Sequence, residues 1–283
     1  MRASAEGNSD SGMSFWEHLD VLRGVLIRAA VLLLIVTIGM FCLMPQIFDS
    51  VILAPCNQQF PVYSFLNHIQ SADILGLSST ESEQDFNIEL ININLASQFM
   101  IHMSLSFWLA LVLSAPALMF LLWQFVSPGL YKRERKPITI GLTFGTVMFY
   151  LGVAVSYFIV FPLTLRFLSG YQLSSAIPNI ISIQSYMDTL INLSLLLGLA
   201  FELPLVAMIL GRFKLLTRNF FARYRRHAIV ALLVSAAVIT PTGDPFTLLV
   251  VFIPLYLLWE SSALLVPRGA KELNHDRAQL IKY

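Results

Sequence analysis

The sequence predicts an all-α polytopic membrane protein with six transmembrane helices and both termini on the cytoplasmic side. Three observations lead there. Of the 283 residues, 57% are apolar and only 12% charged, with a mean hydropathy of +0.72; an ordinary soluble domain has about 25% charged residues. Long uncharged runs recur along the chain. Finally, the basic residues alternate with those runs so as to fall on one side. A soluble fold of this size lacks the core volume to hide so much apolar surface. The composition also excludes a disordered chain and a nucleic-acid-binding protein.

The first 13 residues are polar and rich in small side chains, as in a disordered tail. The membrane domain then spans 14–266, and 267–283 form a cytoplasmic tail. Ser14-Phe-Trp-Glu17 has the pattern of a capping box, in which a hydroxyl and a carboxylate satisfy opposite backbone donors. The helix it opens places Phe15, Leu19, Leu22 and Leu26 on one face, with Trp16 beside them. That pattern suits an amphipathic lead into the first span or a partner-binding surface. Apolar helices are expected near 25–45, 97–126, 137–167, 184–211, 226–240 and 246–266, because lipid leaves an open chain no other way to satisfy its backbone. The fifth and sixth are short. Thirteen to fifteen helical residues reach about 20 Å against a hydrocarbon core of about 30 Å, so that hairpin must thin the bilayer, admit water or pack behind other helices.

Orientation follows from Lys and Arg. Seventeen of the 18 fall in the amino-terminal segment, the loops at 126–137 and 212–226, and the tail; Arg166 alone is on the other side. The positive-inside rule makes the basic side cytoplasmic. The 45–97 loop lies outside, with no Lys or Arg and six acids. Its length calls for structure of its own: alternation at Phe86, Ile88 and Leu90 suits a short strand, and surface helices suit it equally.

A few residues stand out chemically. Glu202 is the acid deep within an apolar span, expensive there and therefore functional by default, with Pro204 breaking the helix behind it. The plain alternative is a glutamate that hydrogen-bonds helices together. Asp188 and Glu260 lie nearer span ends, where solvation explains them. Glu134 sits among Lys132, Arg133, Arg135 and Lys136. It either pairs with those neighbours at the surface or recognises a cationic group, for which an arginine fork is the best match. Cys42 and Cys56 have no metal-ligand spacing, and Cys42 reads as a buried small hydrophobe. There is no phosphate-binding glycine loop, so no cofactor is expected.

Several strings together resemble one family: TatC, the receptor subunit of the twin-arginine protein translocase. They are Phe15-Trp-Glu-His-Leu-Asp-Val-Leu-Arg23, Ser114-Ala-Pro-Ala117, Trp123-Gln-Phe-Val-Ser-Pro-Gly-Leu-Tyr-Lys-Arg-Glu-Arg135, Phe161-Pro162, Phe201-Glu-Leu-Pro204 and Thr240-Pro-Thr-Gly-Asp244. They recur in the family's order over roughly residues 14–262. The resemblance implies a receptor that binds twin-arginine signal peptides at its cytoplasmic face. It would support export of folded proteins driven by the proton-motive force, without enzymatic activity. Implied partners are single-span subunits of the TatA and TatB type, signal peptides of folded cargo and further copies of the chain, all within the inner-membrane bilayer. Glu134 matches the loop glutamate that contacts the signal arginines, Phe125 an aromatic lining the same site and Arg23 a basic residue of the amino-terminal helix. Pro55 matches a proline of the first outer loop, Glu202 the intramembrane glutamate and Asp244 an outer-end acid.

The chain departs from the family in two places. A second recognition glutamate is usual where this chain has Val21. Glu17, one turn away and about 6 Å along the axis, and Asp20, its sequence neighbour, are the candidates to replace it. A glutamine common near the start of the sixth span is replaced by Leu248, which leaves Thr240 and Thr247 as polar contacts for partner helices. Two other classes fit less well. An ion-coupled secondary transporter using Glu202 would suit the helices broken at Pro116, Pro162 and Pro204, but the halves show no repeat. An intramembrane protease lacks any nucleophile motif among the five histidines.

Overall fold

Apolar runs bounded by prolines and polar turns set the elements in order. A computed structural model describes residues 15–57, 60–63, 88, 90–126, 132–171, 173–174, 179–213, 215–240 and 243–266, with backbone alone at 15, 126 and 132–140. The first helix, α1, runs Phe15–Ile47 and continues through a π turn at Phe48–Ile52 and a 3-10 turn at Ala54–Cys56. After the outer loop come a two-residue strand β1, Leu90–Ile91, and the helix α2, Ser97–Val126. Helix α3, Lys132–Val155, passes through a π segment, Ser156–Val160, into α4, Phe161–Gly170. Strand β2, Ile181–Ser182, leads into α5, Ile183–Ala200, and then α6, Leu203–Arg212. A short helix α7, Arg218–Arg223, precedes α8, Arg225–Ile239, and α9, Pro245–Leu265.

Among the described residues five segments are long and apolar enough to cross a membrane: Trp16–Tyr63, Ser97–Phe125, Gly141–Gly170, Ile183–Arg212 and Pro245–Leu265, with mean hydropathies of 2.0 to 2.6. Helix α8, at 15 residues, is shorter, about 22 Å, as expected for the fifth apolar run. The sixth is not short: α9 has 21 residues, about 31 Å, because the helix continues past Glu260, whose charge bounded the apolar run in the sequence. The third run begins five residues earlier than the sequence indicated, at Lys132 rather than 137. Its basic first turn lies outside the apolar window from which the span was read.

Prolines explain the interruptions. Pro162 has no N–H to return to the preceding turn, and the chain widens into the π segment just before it. Pro204 does the same after α5: the helix stops at Ala200, turns through Phe201 and Glu202, and restarts as α6. The alternating pattern in the outer loop gives a strand at its end. β1 pairs with β2 in parallel, Leu90 opposite Ile181 and Ile91 opposite Ser182. Phe86 lies outside the described residues, as do Ser14 of the capping box, the Pro128-Gly129 turn and the 267–283 tail.

The core is built around α5. Leu190, Leu193 and Leu197 are fully buried, against Leu105 from α2, Phe161 from α4 and Val251 and Leu255 from α9. Helix α3 packs on α5, α9 on both α6 and α8, and α1 chiefly along α2. Bulky apolar side chains cover the outward surface, and Cys42, expected to be buried, is exposed there on α1. Leu34 and Ile35 on α1 are more than 60% exposed, and so is Val238 on α8, at 77%. Exposed apolar surface of that extent marks a surface that faces lipid.

Candidate functional site

Three places hold the residues singled out by the sequence. The first is where α1 meets the end of α2. The two helices run antiparallel: His18 stacks on Phe125 with ring centroids 4.4 Å apart and planes at 25°, and farther along Phe41 stacks on His102 at 3.9 Å. Arg28 Nη1 donates to Gln124 Oε1 at 3.0 Å, and the Phe41 carbonyl lies 2.9 Å from His102 Nε2. His18 thereby fixes which side of α1 meets α2. At about 100° per residue, Asp20 projects from nearly the opposite side, and it is exposed. Glu17 lies about 40° from Val21 around the helix and is also exposed, as is Arg23. Glu134 falls in the first turn of α3; its side chain is outside the described residues.

The second place is the break between α5 and α6. Glu202 caps α6 by position without a side-chain cap bond. Both carboxylate oxygens are sealed from solvent with no hydrogen-bond partner among the described residues. They lie against Gly145 of α3, where an added Cβ would be 2.7 Å from Glu202 Oε2 and closer still to Leu205 Cδ2. Gly141 and Gly152 continue that row. A Cβ at Gly152 would lie 2.9 Å from the Gly198 backbone, and one at Gly141 would lie 2.7 Å from the Met208 methyl. Absent side chains at 141, 145 and 152 let α3 approach the broken helix closely. The glutamate therefore faces the protein interior. Among the described residues nothing bonds it there.

The third place is the opposite end of the helices, around the turns that follow α1 and join α8 to α9. Pro55 is buried in the 3-10 turn, and its carbonyl accepts from the Tyr63 hydroxyl at 2.9 Å. Tyr63 also reaches the Pro162 carbonyl at 3.4 Å, and the Arg166 guanidinium lies over its ring at 5.9 Å. Tyr186 donates to the Ile52 carbonyl at 2.7 Å. At the α8–α9 turn, Gly243 takes the left-handed φ of 61° that a glycine tolerates. Asp244 caps α9, its Oδ1 accepting from the Thr247 N–H at 2.7 Å. Thr240 and Thr247 are both buried; the Thr240 hydroxyl donates to Ala237 O at 3.4 Å, and the Thr247 hydroxyl has no partner among the described residues.

Of the two acids that the sequence placed nearer span ends and left to solvent, Asp188 is exposed and Glu260 is held by an ion pair. Glu260 pairs with Arg225 at 2.8 Å, and the exposed Asp188 accepts from Gln184. Among the described residues no cluster of His, Cys, Asp or Glu could hold a metal ion. His18, Gln124 and Tyr63 carry contacts that sequence reasoning missed, and no local pattern announces them. The glycine row at 141, 145 and 152 was visible at helical spacing.

Apolar helices, an outward apolar surface, broken spans and a sealed carboxylate define a multi-pass helical membrane protein. A family model described as Sec-independent protein translocase protein (TatC) matches residues 17–254. The chain belongs to the TatC family, components of the Sec-independent, twin-arginine protein translocase. The Sec-independent protein translocase protein TatC of Blattabacterium sp. subsp. Periplaneta americana is 32% identical over 260 residues, covering 90% of this chain and 95% of that protein. TatCy of Bacillus subtilis is 33% identical, covering 65% and 72%. The fold is similar to a crystal structure of the twin-arginine translocase receptor TatC in DDM, with a TM-score of 0.70 and 27% identity over 89% of this chain and all of that one. These likenesses favour a translocase component over an ion-coupled solute carrier.

Proposed function

We propose that the chain is the receptor subunit of its translocase, binding twin-arginine signal peptides at the cytoplasmic ends of α1, α2 and α3. In this reading α8 is the sixth crossing, both termini are cytoplasmic and the membrane is the inner membrane; the one-sided placement of 17 of 18 basic residues supports it. The observation that carries the proposal is the His18–Phe125 stack. It ties the amino-terminal helix to the end of α2, next in sequence to the loop that leads to Glu134. Carboxylates gathered there meet arginine forks bidentately, which lysine cannot reproduce. Glu17 supplies the carboxylate missing at Val21, because Asp20 projects away from the Phe125 side.

Export of folded cargo draws on the proton-motive force, and the chain itself catalyses no bond chemistry and needs no cofactor. TatA- and TatB-type helices dock against the α8–α9 hairpin, where Val230, Val234 and Val238 of the short α8 form an exposed stripe at i, i+4, i+8. Thr240 and Thr247, the polar contacts read from the sequence, are buried, so the docking surface is the apolar stripe. Further copies of the chain complete the complex.

The test is binding of a twin-arginine signal peptide to the purified chain in nanodiscs, against the same peptide with both arginines replaced by lysine. Strong discrimination by the wild type, lost in Glu134→Ala, is the expected result. Equal binding of the two peptides by the wild type overturns the reading.

A further inference from the structure

The segment joining α6 to α8 has a chemistry that the receptor reading does not use. Between Leu203 and Gly243 the sequence has no acid and six basic residues. Arg225 is neutralised by Glu260. The side chains of Arg212, Arg223 and Arg226 are exposed, and none of the three has an ion pair or hydrogen bond among the described residues.

Beside these cations runs a row of exposed rings. Phe220 stands 4.7 Å from Tyr224, and Tyr224 stands 5.7 Å from His227. Phe213 and Leu215 are exposed next to them. The platform is anchored from below: Phe221 is buried, 4.7 Å from Trp259 and packed with Ala207, Ala263 and Val266. Rings held at the end of membrane-spanning helices sit at headgroup depth, with apolar bodies toward the acyl chains. Arginines at that depth with no counter-charge among the described residues call for anions from elsewhere. Because α8 is about 22 Å long, its basic start is drawn into the headgroup layer rather than held above it.

We propose that α7 and the start of α8 form a binding surface for anionic phospholipid headgroups of the leaflet on the chain's basic side. The arginines meet the headgroup phosphates, and the aromatic row seats the glycerol and upper acyl chains. The occupant is a lipid rather than free phosphate, because the rings supply apolar contact that an inorganic anion cannot use. The proposal rests on the sidedness of the basic residues and not on signal recognition.

Native mass spectrometry of the full chain, released from nanodiscs of mixed phosphatidylglycerol and phosphatidylcholine, tests it without any signal peptide. The wild type should retain phosphatidylglycerol preferentially. The combined variant R212Q/R223Q/R226Q should lose that preference, by roughly fivefold in relative affinity per arginine removed. R212K/R223K/R226K should keep most of it, since a headgroup field acts on charge. Millimolar inorganic phosphate should leave the lipid in place. Equal retention of phosphatidylglycerol by the wild type and the glutamine variant overturns the proposal, as does displacement by inorganic phosphate or equal retention of phosphatidylcholine.

Discussion

Glu202 packs directly over Gly145, so close that any side chain at 145 would meet its carboxylate. The contact joins α3 to the break between α5 and α6, and it accounts for a glycine in the middle of an apolar helix, where it is otherwise unfavourable. Gly145→Val should lower the melting temperature of the purified protein, with an overpacking cost of about 1–3 kcal/mol. Combined with Glu202→Ala the cost should shrink, giving a coupling energy above about 0.5 kcal/mol. Strictly additive effects would show that the two positions do not touch.

Tyr63 holds the outer turn by bonding the carbonyls of Pro55 and Pro162. Tyr63→Phe keeps the ring beneath Arg166 and deletes only the hydroxyl. The expected loss is about 1 kcal/mol, seen as faster amide exchange in residues 52–63. Unchanged exchange there would remove the hydroxyl from any account of the loop.

Asp244 caps α9 through the Thr247 N–H. Asp244→Ala should cost about 1 kcal/mol in thermal unfolding, and Asp244→Ser a few tenths at most. Measured together with export, the pair separates capping from charge. A serine variant that is stable yet inactive would mean that the carboxylate has a second task.

The helical phase of α1 ranks two acids. Glu17→Ala should weaken twin-arginine peptide binding about tenfold or more, the scale of a lost charge-assisted hydrogen bond. Asp20→Ala should bind as the wild type does. The reverse order in a titration would move the recognition surface to the other side of the helix.

The sequence made the helices legible because each is an apolar run cut by a charge or a proline. The starts of α2, α5, α8 and α9 fall within about a turn of where hydropathy alone sets them, and Pro204 marked the break that delivers Glu202. The alternation ending at Leu90 became a strand, but only pairing with Ile181 decides that, and no local pattern names a partner some ninety residues away. The stacking of His18 on Phe125 was hidden for the same reason. Periodicity says that a face is buried, not which ring from a distant helix will lie on it. Asp20 illustrates the converse: nearness in sequence to Val21 suggested it, and a turn of about 100° per residue carries it away from the Phe125 side.

The pairing of α1 chiefly with α2 bears on biosynthesis. Both members of that antiparallel hairpin, and the His18–Phe125 and Arg28–Gln124 contacts between them, lie within the first 126 residues. A chain that has emerged that far holds both partners of each of these contacts, whereas Met44, Leu105 and Trp108 of the same hairpin still await the core around α5 that buries them.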